Sequence, residues 1–411
     1  MIVDTMRRHA VAGRTIAPLG VLAVLFFVGC AGASHTRVKT TGNARTGTDS
    51  IALIVASLAN LARRHEAQIP GALPPGFKNV YADSYRGWPV TPLHSQHPIR
   101  GSFLDPRGVD ENGLAGYHFG IDVNVDDRHP ESGAGPGLSH RVYAVDGGTA
   151  HVVHGVRYAC ANRRLEVGHF SYWHVSPVVI SGTRIKPGEL IGWTCLGQWH
   201  VHLSEWRSVG SRHVWLNPLR PGGKIAPYVD TEPPIVSAMR FYTPPKSPWQ
   251  PDISLRGGDT AGPLTPTRLH GLVELRAEIE DGQSFWGFMS HHPGWETPHH
   301  PYRVAVEIRS HTTGAVVMQR ITFQSDEYPS TPYLVHYAPG TVQNGSMNEC
   351  IHNPPNQPCA GTYWFRPFSR WHLEYWDTRK VRDGMYDVTV VAWDVKGHTG
   401  TLTVPVVIGN S

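Results

Sequence analysis

The stretch Gln198-Trp199-His200-Val201-His202-Leu203-Ser204-Glu205 sets two histidines one residue apart in an alternating pattern. Side chains of a β-strand alternate faces, so His200 and His202 point one way and Val201 the other. Two imidazoles on one face, about 6–7 Å apart along the strand, are placed to share a metal ion or a substrate. Two more stretches offer groups of the same kind. His118-Phe119-Gly120-Ile121-Asp122-Val123-Asn124-Val125 puts Phe119, Ile121, Val123 and Val125 on an apolar face, with His118, Gly120, Asp122 and Asn124 opposite. Gly120 has no side chain, which lets His118 and Asp122 bend toward one point. In Ser171–Ser176, Tyr172, His174 and Ser176 share a face, with Trp173 and Val175 behind.

These polar faces sum to His118, Asp122, His174, His200 and His202. Catalytic zinc takes three protein ligands from His and carboxylate and keeps a fourth position for water. Five groups exceed that need, and the surplus suits acid–base work and oxyanion stabilisation beside the metal. Spacing alone does not say which three would be ligands. Nor does it dispose of the plainer reading, unrelated surface histidines, in a chain with 25 His. The other histidines are read as surface or packing groups. His169 packs by default, with a supporting place behind the site as the alternative. His291, His292, His299 and His300, near Trp286 and Trp295, read as a solvated or ligand-facing loop, and a second metal site is the weaker alternative.

The elements around these residues are short strands. The 411 residues include 43 Gly and 34 Pro, which favours turns over long helices. A net charge of +4 without a dense Lys/Arg run argues against nucleic acid as a partner. Arg7, Arg8 and Arg14 precede an apolar run from Leu19 to Val28, too short to span a bilayer comfortably. Phe27-Val28-Gly29-Cys30-Ala31 follows and resembles a bacterial lipobox, with Phe27 where Leu is usual; it implies a lipid anchor at Cys30. Export to the cell envelope is therefore expected, with ordinary secretion or a retained membrane anchor as alternatives. Export brings oxidising conditions, so the remaining cysteines are expected to pair as Cys160–Cys195 and Cys350–Cys359. Residues 1–30 form the targeting segment. Residues 31–69 form a tether and a short helix, with Ile51, Ile54, Val55, Leu58, Leu61 and Ala62 at helical spacing. Residues 70–228 form a first β domain. Residues 229–411 form a second, in which alternation at Val273–Ile279, Val304–Ile308 and the hairpin Tyr386–Asp394 with Thr401–Ile408 suggests an antiparallel sandwich.

His-x-x-x-Asp, then Tyr-x-His, then His-x-His, in this order, resembles the lysostaphin/LytM-type zinc metalloendopeptidases over roughly residues 88–222. Ile99–Phe103, Val142–Thr149 and Ile185–Gly192 resemble that family's supporting strands and turns. The resemblance implies a compact antiparallel β-sheet metallopeptidase domain; with the immunoglobulin-like β-sandwich and the short helix read from alternation and spacing, the expected fold class is all-β. The resemblance implies one Zn2+ held by His118, Asp122 and His202, with His174 and His200 as the catalytic pair. It further implies hydrolysis of peptide bonds in bacterial peptidoglycan. A non-catalytic or structural envelope protein that binds wall peptides, or activates another hydrolase, is the alternative. Departures from the family pattern flank the expected groove, among them a Gly/Pro stretch over 130–139 that lengthens the segment between the first two motifs. Cys195–Trp199 replaces the usual Gly/Thr-rich loop, Trp173 and Trp199 adjoin two of the histidines, and Ser204-Glu205 stands where Phe-Glu is common.

Overall fold

The His-x-His strand, His200–Val209, is the hub of the largest sheet. Its first half pairs with Ile121–Asn124 on one side and Phe170–Trp173 on the other, and its second half pairs with Arg212–Leu216. Ile99–Gly101 extends this sheet beyond Ile121–Asn124; Arg164–Val167, Gly148–His154 and Arg184–Ile185 extend it beyond Phe170–Trp173. A three-stranded sheet of Leu138–Tyr143, Leu190–Cys195 and Val175–Pro177 lies alongside. All these pairings are antiparallel. This computed structural model describes residues 51–61, 87–109, 115–210, 212–246, 261–282, 298–341 and 361–410. The expected targeting segment with Cys30, the tether before the helix, the Cys350–Cys359 pair, His291, His292, Trp286 and Trp295 lie outside them. Among the described residues no helix is long and apolar enough to cross a membrane.

Two further sheets follow. One has the order Pro263–Leu264, Ile235–Tyr242, Leu272–Glu280, Trp364–Phe365, and Trp376–Asp377 also pairs with Leu272–Glu280. The other has the order Val316–Gln324, Arg303–Ser310, Gly384–Trp393, Thr399–Ile408. Val273, Leu275, Ala277 and Ile279 of the first and Val304, Val306, Ile308, Val388 and Val390 of the second are buried in one cluster. Ala305 and Val391, on the opposite faces of their strands, are buried too, because the helix over residues 51–61 covers them. Its Ile54 and Leu58 pack against Ala305, Ile321, Val391 and Trp393. Burying two such aliphatic side chains contributes about 1.5–3 kcal/mol each. The fold is all-β with one short helix.

The alternating pattern misplaces two residues. The expected strand from His118 begins only at Ile121. Phe119 therefore leaves the apolar face and packs its ring 4.7 Å from that of His202. The expected strand Ser171–Ser176 is broken at His174, whose φ is +63°. Phe170–Trp173 and Val175–Pro177 consequently belong to different sheets, and Tyr172 does not share a face with His174. Tyr172 is fully buried, and its hydroxyl accepts the Val145 N–H at 2.7 Å.

Candidate metal centre

Register brings the first two ligand candidates together. Across the ladder His202 stands opposite Asp122, His200 opposite Asn124, and Gly101 opposite Asp122. His118 arrives from the loop before the Asp122 strand. Its Nε2 lies 2.7 Å from His202 Nδ1 and 3.1 Å from Asp122 Oδ1, and His202 Nδ1 lies 3.1 Å from that same oxygen. All three side chains are buried. His200 Nε2 is 3.5 Å from Asp122 Oδ1. The His174 and His200 rings meet edge-on at 4.7 Å, and His174 and His202 at 6.5 Å. The five residues singled out in the sequence thus converge on one place.

Backbone carbonyls orient three of the imidazoles. His118 Nδ1–H donates to Ser102 O at 2.8 Å, His174 Nδ1–H to Ala161 O, and His200 Nδ1–H to Gln198 O. A carbonyl only accepts, so each neutral ring carries its proton on Nδ1 and presents a bare Nε2. His202 faces the centre through Nδ1, and its Nε2 meets Ser204 Oγ at 2.8 Å. Ser204 thus backs a ligand candidate. Glu205 turns away into a two-pronged ion pair with Arg220, 2.6 Å at each oxygen.

The electrostatics favour an ionised Asp122 carboxylate, with burial disfavouring charge on His174, His200 and His202. Burial opposes charge on Asp122, but the adjoining His118 and His200 rings and the bonds from His118 and His202 outweigh it. Its carboxyl is held well below the usual range. Burial depresses His174 below the ordinary imidazole value and pushes His200 to about 3 and His202 to about 4. Arg107 Nη2 adds a contact of 3.3 Å to Asp122 Oδ2. Sequence reasoning gave Arg107 no role; only the fold brings it to this carboxylate.

This donor set fits a metal ion. Two imidazoles and one carboxylate offer lone pairs to a single point, and Ser102 O and Ser204 Oγ hold the two rings from behind. Three ligands of a tetrahedral zinc, each at about 2.0–2.1 Å, stand roughly 3.4 Å apart. The observed edges of 2.7–3.1 Å accept the ion after a small outward shift. Glycines keep the space clear. A Cβ on Gly120 would lie 2.8 Å from His202 Nε2, and one on Gly101 would overlap the Asp122 carboxylate.

A disulfide braces the other flank. Cys160 and Cys195 are bonded, 35 residues apart in sequence. They bracket His174: its ring bonds Ala161 O beside Cys160, its N–H donates to Arg163 O at 2.9 Å, and its carbonyl accepts the Cys195 N–H at 2.9 Å. A left-handed φ on a non-glycine costs of order 1–3 kcal/mol and persists where the surroundings over-determine it. Phe119 and Trp173 wall the site, with rings 4.7 and 6.2 Å from that of His202. His169 instead packs edge-on against Trp206. No protein-family model matches the chain, and no curated protein matches it either.

Proposed function

We propose that the protein is an exported zinc metalloendopeptidase that hydrolyses peptide bonds in bacterial peptidoglycan. The observation that carries this reading is the convergence of His118 Nε2, Asp122 Oδ1 and His202 Nδ1 within 3.1 Å of one another, with His174 and His200 edge-on to each other beside them. The family resemblance of the three ordered motifs supplies the substrate class. The N-terminal segment supplies the expectation of export and of a lipid anchor at Cys30.

His118, Asp122 and His202 would hold the ion. Zinc bound there supplies Lewis acidity, lowering the pKa of a water in its open position to about 7 and polarising a carbonyl. The rest falls to the chain. His174 and His200 are neutral at pH 7 and present bare Nε2 atoms. One of them takes a proton from the attacking water and returns it to the leaving amine as the C–N bond breaks. The hydroxyl ends on the acyl carbon, and the second proton is released with the carboxylate product. Until it passes that proton on, the Nε2–H of the ring that took it donates to the developing oxyanion. Phe119 and Trp173 exclude water from one side of the site.

Digestion of purified peptidoglycan by the full chain, read by mass spectrometry of the released peptides, tests the proposal. Products gaining one water at a peptide bond are expected. His174→Ala should lower kcat by about 10²–10⁴-fold with bound zinc unchanged. Intact peptidoglycan with a zinc-loaded chain would refute the enzymatic reading and leave a wall-binding protein.

A further inference from the structure

His118 is aimed by a turn, Ser102-Phe103-Leu104-Asp105. The turn closes on itself through Asp105 N–H to Ser102 O at 3.2 Å and Ser102 N–H to Asp105 Oδ2 at 2.8 Å. Leu104 takes a left-handed φ of +72°. Three bonds tie the turn to His118. Leu104 N–H donates to His118 O, His118 N–H donates to Asp105 O, and His118 Nδ1–H donates to Ser102 O, each at 2.8 Å. A shift of the turn would move the His118 ring with it.

The grip on this turn comes from segments flanking the strands of the C-terminal sheets, one side chain for each residue. His299 Nδ1 meets Ser102 Oγ, and its Nε2 reaches Ile99 O at 2.8 Å. His300 Nε2 bonds Phe103 O at 2.7 Å. The Tyr337 hydroxyl donates to Leu104 O at 3.1 Å, and the Tyr363 hydroxyl to Asp105 Oδ1 at 2.9 Å. All eight residues are buried. His299 and His300, expected on a solvated or ligand-facing loop, are therefore interior groups. Each satisfies polar atoms of a turn that burial has removed from water, where an unpaired group costs about 1–3 kcal/mol. The neighbouring Tyr117 is held from the same side, its N–H by the Tyr328 hydroxyl at 3.0 Å and its hydroxyl by His336 Nδ1 at 2.6 Å.

We infer that the C-terminal sandwich is a working part of the metal centre, with His299 and Tyr363 acting as positioning residues that fix His118 through the Ser102–Asp105 turn. The inference rests on the reading of His118 as a metal ligand. It assigns the sandwich a role other than holding a separate wall ligand. A ligand imidazole whose acceptor wanders loses orientation, and partners of this kind are typically worth 10- to 100-fold in metal affinity.

The test uses the full-length chain and four proteins: wild type, His299→Ala, Tyr363→Phe and Thr389→Val. The last removes a hydroxyl bond to Thr403 (2.9 Å) between the paired strands Gly384–Trp393 and Thr399–Ile408, away from the turn. Zinc affinity is measured by competition with a chromophoric chelator. Amide hydrogen exchange at Leu104 and His118 is measured on metal-free protein. His299→Ala and Tyr363→Phe should weaken zinc binding roughly tenfold or more and accelerate both amides, while exchange in the His200–Val209 ladder is unchanged. Thr389→Val should stay within about twofold of wild type. Unchanged affinity and exchange in the turn variants, or an equal change in Thr389→Val, would overturn the inference. A wild type that takes up no zinc would sink the metal reading separately, and the exchange data alone would then decide whether the sandwich holds the turn.

Discussion

Gly101 and Gly120 make the sharpest single-residue predictions, because each clears space that a methyl group would fill. Gly101→Ala sets a Cβ against Asp122 Oδ2 and 2.9 Å from Arg107 Nη2; Gly120→Ala sets one 2.8 Å from His202 Nε2. Overpacking of this kind costs about 1–3 kcal/mol. Both variants should lower the melting temperature by several degrees and weaken zinc binding at least tenfold, read by calorimetry and chelator competition. Wild-type zinc affinity in both would show that the space is not needed by the ligands. At this scale much was legible in the sequence. His202 and Asp122 were readable as members of polar strand faces because alternation fixes a face; the antiparallel register that sets them opposite each other came only with the fold. The acceptors that orient the rings were not. Ser102 O, Ala161 O and Gln198 O are backbone atoms, which every residue type carries. Arg107 reaches Asp122 through a tertiary contact that no local pattern announces.

Two of the five site residues, His118 and His174, stand between strands, and the disulfide is the element-scale brace for the second. A closed loop of this length contributes about 2–4 kcal/mol when its cross-link is intact. The double variant Cys160→Ala/Cys195→Ala should lose about that much in denaturant unfolding. Its kcat should fall more than its zinc content, because His174 is bracketed by the two cysteines and the metal ligands are not. Equal loss of zinc and kcat would indicate general loosening instead. The cysteine arithmetic made this pair legible, but the break at His174 was hidden. Tyr172, His174 and Ser176 alternate as a continuous strand would, and only the left-handed turn at His174 separates Tyr172, in the core, from the site. Phe119 escaped the pattern for a similar reason, since the strand it was assigned to starts two residues later.

Over the whole molecule, residues 49–411 form one compact unit, and the sheets before Asn217 and after Ile235 share buried contacts. Histidines are buried on both sides of the seam, so stability should depend on pH. Burial holds His97, His299 and His336 at about 4, below the ordinary 6.5. Above 6.5 both folded and unfolded chains leave these rings neutral. As pH falls from 6.5 toward 4 the unfolded chain takes up protons that the folded chain refuses, so stability drops through that window. Denaturant midpoints should fall between pH 7 and 4.5, and less so in His336→Gln. Asp281 acts with the opposite sign. Burial, with Asp230 and Asp394 nearby, raises it to about 9. Its contribution is full below the unfolded value near 4 and is lost as pH rises toward 9. Asp281→Asn should therefore raise the melting temperature at pH 8 relative to wild type; a lower value there would contradict the assignment of a protonated carboxyl. The sequence indicated two β regions. It could not indicate that the second reaches into the first, because the four side chains that grip the Ser102–Asp105 turn lie about 200 or more positions downstream of it.

The central claim is that His118, Asp122 and His202 hold a zinc ion that the protein uses to cleave wall peptides. The most direct measurement is zinc per chain, determined together with peptidoglycan cleavage on one preparation before chelation, after chelation and after zinc is restored. The account predicts one zinc per chain, activity that disappears with the metal and returns with it, and neither metal nor activity in His202→Ala. A chain without zinc that still cleaves, or a His202→Ala variant with full zinc and full activity, would contradict it.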